Sequence, residues 1–244
     1  MKVVAIIPAR YESTRLPGKA LLDIAGKPMI QWVYERASRA EHLARVIVAT
    51  DDERILRTVR DFGGEAALTA KDHPSGTDRI AEVAAKLDAQ VIVNVQGDEP
   101  LIDPRAIDLA VEPFLRGEDV VMTTLMCPIR AEELDDPHTV KVVVDQQGFA
   151  LYFSRAAIPS TRSGRAPLEL VRKHIGLYAY TREFLLRYAA LPPTPLMQAE
   201  QLEQLKVLEH GFRIRVLETE LESIGVDTAE DLERVRRIVA GEEQ

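Results

Sequence analysis

Residues 3–19 read Val3-Val4-Ala5-Ile6-Ile7-Pro8-Ala9-Arg10-Tyr11-Glu12-Ser13-Thr14-Arg15-Leu16-Pro17-Gly18-Lys19. An apolar run of strand length, Val3–Ile7, passes straight into a loop holding three cations. A polyphosphate needs fixed positive charge and backbone N–H donors that can approach closely, and a glycine permits that approach. Arg10, Arg15, Gly18 and Lys19 supply those residue types, in a spacing that is not a Walker A loop. A strand feeding an anion-binding loop at its carboxyl end is the opening of an α/β nucleotide-binding sheet.

Outward from this stretch the pattern repeats. A helix is expected near residues 28–41, a strand at Val46–Thr50, a helix near 52–62, a strand at Ala66–Thr69 and a helix near 77–87. Val91–Val95 follows, whose β-branched run suits a central parallel strand buried on both faces. The rhythm gives a mostly parallel, Rossmann-like sheet with helices on both faces. Ligands of such sheets sit beyond the carboxyl ends of the strands, so the loops after Ile7, Thr50, Thr69 and Val95 are expected to line the site. Further on, Val120–Leu125, Val140–Val144, Ala150–Phe153 and Ile175–Tyr180 read as strands close enough together to extend the sheet in antiparallel fashion. Pro159–Pro167 reads as a mobile surface loop. Leu191–Pro195 ends one helix and aims the next, expected near Met197–His210.

Composition bounds the function. The 244 residues are 46% hydrophobic with a formal net charge of −8 and a pI near 5.3, which argues against a general binder of nucleic acid or anionic membrane. The positive charge is local: residues 1–40 hold seven Lys or Arg against three acids, as one anionic ligand at one site requires. A lone Cys127 excludes an internal disulfide framework, and no Cys/His cluster points to zinc. No apolar run reaches bilayer length, and the strand after Met1-Lys2 is too short for a signal segment, so a cytoplasmic protein is expected.

Two carboxylates stand out. Asn94-Val95-Gln96-Gly97-Asp98-Glu99-Pro100 puts Asp98 at the end of the central strand beside a glycine, where a hard cation such as Mg²⁺ would find an oxygen ligand; the plain alternative is a cap or loop Asp. Gly225-Val226-Asp227-Thr228 precedes the last helical pattern, and Asp227 is either a second ligand or only a favourable charge at a helix start. Thr228 and Asp231 there form a capping-box-like pair. His73-Pro74-Ser75-Gly76-Thr77-Asp78-Arg79 opens a helix and offers N–H groups, hydroxyls and Arg79 to a base or phosphate, with Ser75 or Thr77 equally readable as an N-cap. Around residue 204, Leu202, Leu205 and Leu208 form an apolar stripe that leaves Glu203 and Gln204 off it, in positions usually solvated. His174 and Tyr178, alone, read as packed core residues.

Taken together, these stretches resemble the 3-deoxy-manno-octulosonate (Kdo) cytidylyltransferases over essentially the whole chain. The resemblance rests on Ile7–Arg10, Thr14–Lys19, Ala49–Asp51, Ser75–Thr77, Val93–Pro100, Tyr152–Arg155, Leu202–Leu205 and Gly225–Thr228. It implies a cytoplasmic, Mg²⁺-dependent homodimer that makes CMP-Kdo and pyrophosphate from CTP and Kdo for lipopolysaccharide. By motif, Arg10, Arg15 and Lys19 would bind the triphosphate. Ala9, Ser75, Gly76, Thr77, Arg79 and Gln96 would surround the cytidine, and Asp98 and Asp227 would hold Mg²⁺. Arg10, Lys19, Asp98 and Asp227 would form the catalytic group, while Gln96, Arg155, His174, Tyr178, Glu203 and Gln204 would grip the sugar acid. The whole chain, 1–244, is then one catalytic domain, with a nucleotide-binding part to about residue 125, a sugar-binding and dimerisation part at about 126–215 and a C-terminal helix at about 228–240. The rival readings are cytidylyl transfer to sialic acid or an amino-substituted Kdo, a nucleotidyltransferase acting on sugar phosphates, and a non-catalytic nucleotide sensor.

Overall fold

The computed structural model describes residues 1–12 and 16–242; Arg15 lies outside them. Two compact units emerge, one from residues 1–108 and 222–244, the other from 109–221.

The first unit is built on four parallel strands. Strand β1 (Val3–Ala9) leads through helix α1 (Met29–Ala37) to β2 (Arg45–Thr50), then through α2 (Glu53–Asp61) to β3 (Ala66–Leu68). Helix α3 (Gly76–Ala85) connects to β4 (Val91–Asn94), and helix α4 (Pro104–Leu115) carries the chain onward. The strand order is β4-β1-β2-β3, all parallel, with Ile6 opposite Ile47 on one side and Asn94 on the other. Val3 to Ile7 and Val91 to Val93 are buried on both faces, which is why these strands read as unbroken apolar runs rather than alternating ones. The helices start where their caps sit: Asp52 accepts from the Arg54 N–H at 2.8 Å and Ser75 from the Asp78 N–H at 3.2 Å.

The second unit holds β5 (Met122–Pro128), β6 (Lys141–Val144), β7 (Ala150–Ser154), β8 (Arg172–Thr181) and, after helix α5 (Arg182–Ala189), helices α6 (Pro195–Glu200) and α7 (Gln204–Glu209) and strand β9 (Arg215–Glu218). Strand β8 runs antiparallel to β5 and β6, and β6 to β7, while β9 joins β5 in parallel. The antiparallel pairing matches the sequence reading. Two expectations need correction. The helix expected at Met197–His210 is two helices, because Gln201 takes a left-handed conformation (φ 53°) and ends α6. The segment read as a loop at Pro159–Pro167 contains a small hairpin, Ser160–Thr161 paired antiparallel with Gly164–Arg165.

The chain closes the first unit with α8 (Ala229–Ala240), whose N-terminus carries a capping box between Thr228 and Asp231. Leu232 and Val235 of α8 pack with Val226, Ile24 and Met29, and Arg236 donates to the Asp23 carbonyl at 2.9 Å. The last helix therefore clamps the Val226-Asp227 segment against the turn that follows the first loop.

Candidate active site

In the first unit the loop after β1 is closed by local backbone hydrogen bonds. Gly18 donates to the Tyr11 carbonyl at 3.0 Å and Lys19 to that of Leu16 at 3.1 Å. Gly18 sits at φ 69°, and a β-carbon there would lie 3.3 Å from the Tyr11 ring, so the turn suits glycine on both counts. Lys19 then begins a 3-10 turn, Lys19–Leu21.

From that turn the Lys19 ammonium reaches three oxygens: Asp98 Oδ2 at 2.7 Å, the Val226 carbonyl at 2.7 Å and Asp227 Oδ1 at 3.1 Å. Two backbones are locked together beneath it, since Val226 N–H donates to the Asp98 carbonyl at 2.8 Å. Asp227 is fixed from the other side by Asp231, whose Oδ2 accepts from the N–H groups of Asp227 (3.0 Å) and Thr228 (2.9 Å) and from the Thr228 hydroxyl. Burial pushes the Asp231 carboxyl up, but those donors hold it below the usual carboxylate range. Asp98 owes its place to Gly97, where a β-carbon would stand 2.7 Å from the Pro8 carbonyl oxygen; the loop lies that close to the end of β1. Two carboxylates and a carbonyl from segments far apart in the sequence thus converge on one point of positive charge. That all-oxygen donor set suits a hard divalent cation, which takes one or two protein carboxylates and completes its shell with phosphates and water. Among the described residues no group of three or more His, Cys, Asp or Glu side chains forms a metal site.

Beside this centre, the loop ends after β2 and β3 are tied to α3 by a buried arginine. Arg79, 3% exposed, donates through Nη2 to Asp51 Oδ2 at 2.7 Å and through Nη1 to the Thr69 hydroxyl and the Ala70 carbonyl. His73 Nε2 lies 2.7 Å from Glu82 Oε2, which also accepts from Ala70 N–H at 2.9 Å. The His73 contact leads in pulling the Glu82 carboxyl down to about 2. These contacts fix the approach to Ser75-Gly76-Thr77, and Gly76 lies against Pro8. Gln96 donates from Nε2 to Asn94 Oδ1 at 3.2 Å, and Arg10 lies exposed where β1 ends.

In the second unit His174 is buried, with Nε2 2.9 Å from the Thr124 hydroxyl oxygen and its ring between Phe153 (centroids 4.9 Å apart) and Tyr178 (5.5 Å). Burial pushes its imidazole down to about 3, so the ring is neutral. Arg155 directs Nε to the Glu200 carbonyl at 2.8 Å, Nη1 to that of Pro137 at 2.8 Å and Nη2 to that of Gln201 at 3.3 Å, capping the carboxyl end of α6. Its own N–H donates to Glu200 Oε2 at 2.9 Å. Just past the break, the Glu203 carbonyl accepts from Tyr188 Oη at 3.0 Å, and Gln204 is buried at 4% exposure.

Comparison with known proteins decides the family. A family model described as cytidylyltransferase matches residues 4–219. The 3-deoxy-manno-octulosonate cytidylyltransferases of Geobacter metallireducens and Geotalea daltonii are each 55% identical over 245 residues, covering 96% of this chain and 96% and 97% of theirs. The chain belongs to the 3-deoxy-manno-octulosonate cytidylyltransferase family. A solved structure of CMP:2-keto-3-deoxy-manno-octonic acid synthetase complexed with CTP superposes with a TM-score of 0.94 at 48% identity, covering 99% of this chain and 100% of that one. A cytidylyltransferase from Leptospira borgpetersenii, 19% identical with a TM-score of 0.65, shares the fold.

Of the site residues expected from sequence, Lys19, Asp98 and Asp227 are brought to one point by the fold, as an ion-paired cluster. Ala9, Ser75, Gly76, Thr77 and Gln96 lie at strand ends or at the start of α3, where sheet logic put them. Arg79 and Arg155 differ from open cationic ligands, since each guanidinium is engaged with protein oxygens. Gln204 is not solvated, because the break at Gln201 turns α7 and carries Gln204 into the interior. Asp231 takes the capping role that its spacing from Thr228 suggested; Glu82 and Thr124, which contact His73 and His174, were not anticipated, and Asp51, the partner of Arg79, only as part of the Ala49–Asp51 stretch.

Proposed function

We propose that this protein transfers the cytidylyl group of CTP to Kdo, giving CMP-Kdo and pyrophosphate. The single observation that carries this reading is the meeting of Asp98, Asp227 and Lys19 in a chain 55% identical to proteins named for that activity. The structural relative holding CTP, matched along 99% of this chain, supports CTP as the nucleotide.

The proposed reaction is attack by the anomeric 2-hydroxyl of Kdo on the α-phosphorus, in line with departing pyrophosphate. No covalent enzyme intermediate is required, so the protein's work is alignment and charge neutralisation. Arg10, Arg15 and Lys19 offset the charge of the triphosphate and of the leaving pyrophosphate. Ala9, Ser75, Gly76, Thr77 and Gln96 seat the cytidine, with Arg79 holding their loops in place. Gln96, Arg155, His174, Tyr178, Glu203 and Gln204 position the sugar acid. Asp98 and Asp227 would hold a divalent cation, Mg²⁺ by the chemistry of the donor set, which when bound screens phosphate charge and acidifies a coordinated hydroxyl. In this reading the whole chain, 1–244, is one catalytic domain. The surrounding reading is a cytoplasmic homodimer supplying activated Kdo for lipopolysaccharide; no helix among the described residues is long and apolar enough to cross a membrane.

Pyrophosphate release with CTP and Mg²⁺ tests this, comparing Kdo, an amino-substituted Kdo, sialic acid and no sugar, then UTP for CTP. Release with CTP and Kdo alone is expected. Release with sialic acid in place of Kdo overturns the sugar assignment.

A further inference from the structure

His174 lies on β8 next to an irregularity: Ile175 pairs with Leu125 and Tyr178 with Thr124, so Gly176 and Leu177 bulge from the ladder. Thr124, fully buried on β5, faces that bulge. Its hydroxyl oxygen is 3.1 Å from the Ile175 carbonyl oxygen, 2.9 Å from that of Leu177 and 2.9 Å from His174 Nε2. A threonine hydroxyl has one proton, and carbonyls only accept. If that proton pointed at the ring, two carbonyl oxygens would face the hydroxyl oxygen at 3.1 and 2.9 Å with no proton between them, lone pair against lone pair in a buried site. The proton therefore goes to a carbonyl, and the ring nitrogen at 2.9 Å must donate. A neutral imidazole that carries its proton on Nε2 keeps a lone pair on Nδ1. The contact with Thr124 is made at Nε2, which leaves Nδ1 for another partner.

We propose that Thr124 is a positioning residue for the acidic sugar: its hydroxyl locks His174 as the neutral Nε2–H tautomer, so the ring offers Nδ1 as an acceptor to a sugar hydroxyl rather than charge to the sugar carboxylate. The inference rests on the reading above that His174 contacts the sugar. It explains why an aromatic clamp, Phe153 and Tyr178, accompanies a ring that carries no charge. It also assigns the two parts of the substrate differently, with the carboxylate neutralised elsewhere and one hydroxyl recognised here as a donor.

The test combines nitrogen-15 NMR of histidine-labelled protein at about pH 7.5 with steady-state kinetics on Kdo. The His174 resonances, assigned by their loss in His174→Gln, are expected to show Nε2 protonated and Nδ1 bare. Thr124→Val is expected to shift the ring towards the other tautomer and to raise the KM for Kdo roughly tenfold, as loss of one buried hydrogen bond implies, with the KM for CTP unchanged. Thr124→Ser restores both. A wild-type ring protonated on Nδ1, or Thr124→Val with unchanged tautomer and Kdo KM, overturns the proposal. If the valine variant does not fold, the wild-type spectrum and the serine variant decide alone. A Kdo KM unaffected by His174→Gln would instead remove His174 from the sugar site, whatever its tautomer.

Discussion

Burial of a neutral His174 makes a quantitative prediction about stability. In the unfolded chain the imidazole titrates near the ordinary 6.5, and in the folded protein burial pushes it to about 3. A base whose folded pKa is depressed stabilises the fold above its unfolded value, and that stability is lost as pH falls below 6.5, because the unfolded state then takes up a proton the native state refuses. Between about pH 7.5 and about pH 5.5 the linkage removes about 1.4 kcal/mol, one tenfold step in the unfolded-state protonation term. His174→Gln keeps an N–H donor for Thr124 but cannot titrate. The assay is thermal unfolding of both proteins at both pH values, and the quantity of interest is the difference between their pH responses, in which the other four histidines and the carboxylates cancel. The wild type should lose about 3–5 °C more than the variant on acidification, as expected for a chain of this size. Equal losses would mean that His174 titrates as if exposed, and the buried neutral ring would have to be abandoned.

Asp98→Ala should lower turnover by two or more decades, roughly 3 kcal/mol of barrier; near-normal turnover at saturating Mg²⁺ contradicts its role in the cation centre. Gly97→Ala places a β-carbon 2.7 Å from the Pro8 carbonyl, so we expect a destabilisation of about 1–3 kcal/mol, read from the unfolding midpoint, together with loss of activity; an unaltered melting curve would show that the loop yields freely. Arg79→Ala strands the Asp51 carboxylate, whose side chain is 16% exposed, and should destabilise the fold by about 3–5 kcal/mol in denaturant titration. A loss below about 1 kcal/mol, typical of exposed pairs, would remove Arg79 as the tie between the β2 and β3 loops.

Much of the first unit was legible because its strands are buried on both faces and its helices begin at recognisable caps: Val3–Ala9, Val46–Ala49 and Val91–Val93 announce themselves by unbroken apolar runs, Thr228 by its offset to Asp231, and Ser75, with Thr77, as a candidate cap that the structure resolves to Ser75. The break between α6 and α7 left no such trace. Gln201 is not a residue that signals a left-handed turn, and Leu202, Leu205 and Leu208 keep helical spacing across the helix start. The loop at residues 159–167 hid a hairpin because two-residue strands have no periodicity to read. Site residues were legible as types, but their partnerships were not. Lys19 meets carboxylates 79 and 208 positions away, and Arg155 turns to carbonyls, which every residue has and no sequence pattern marks. Thr124 reads as an ordinary strand former until the bulge in β8 sets two carbonyls around its hydroxyl.

The most direct measurement is a phosphorus-31 NMR time course of CTP, Kdo and Mg²⁺ with this enzyme. Cytidylyl transfer to Kdo predicts that the α, β and γ signals of CTP decay together into one phosphodiester resonance and pyrophosphate, only while Kdo is present. Release of inorganic phosphate and CDP, or an unchanged CTP spectrum with Kdo in excess, would contradict the account.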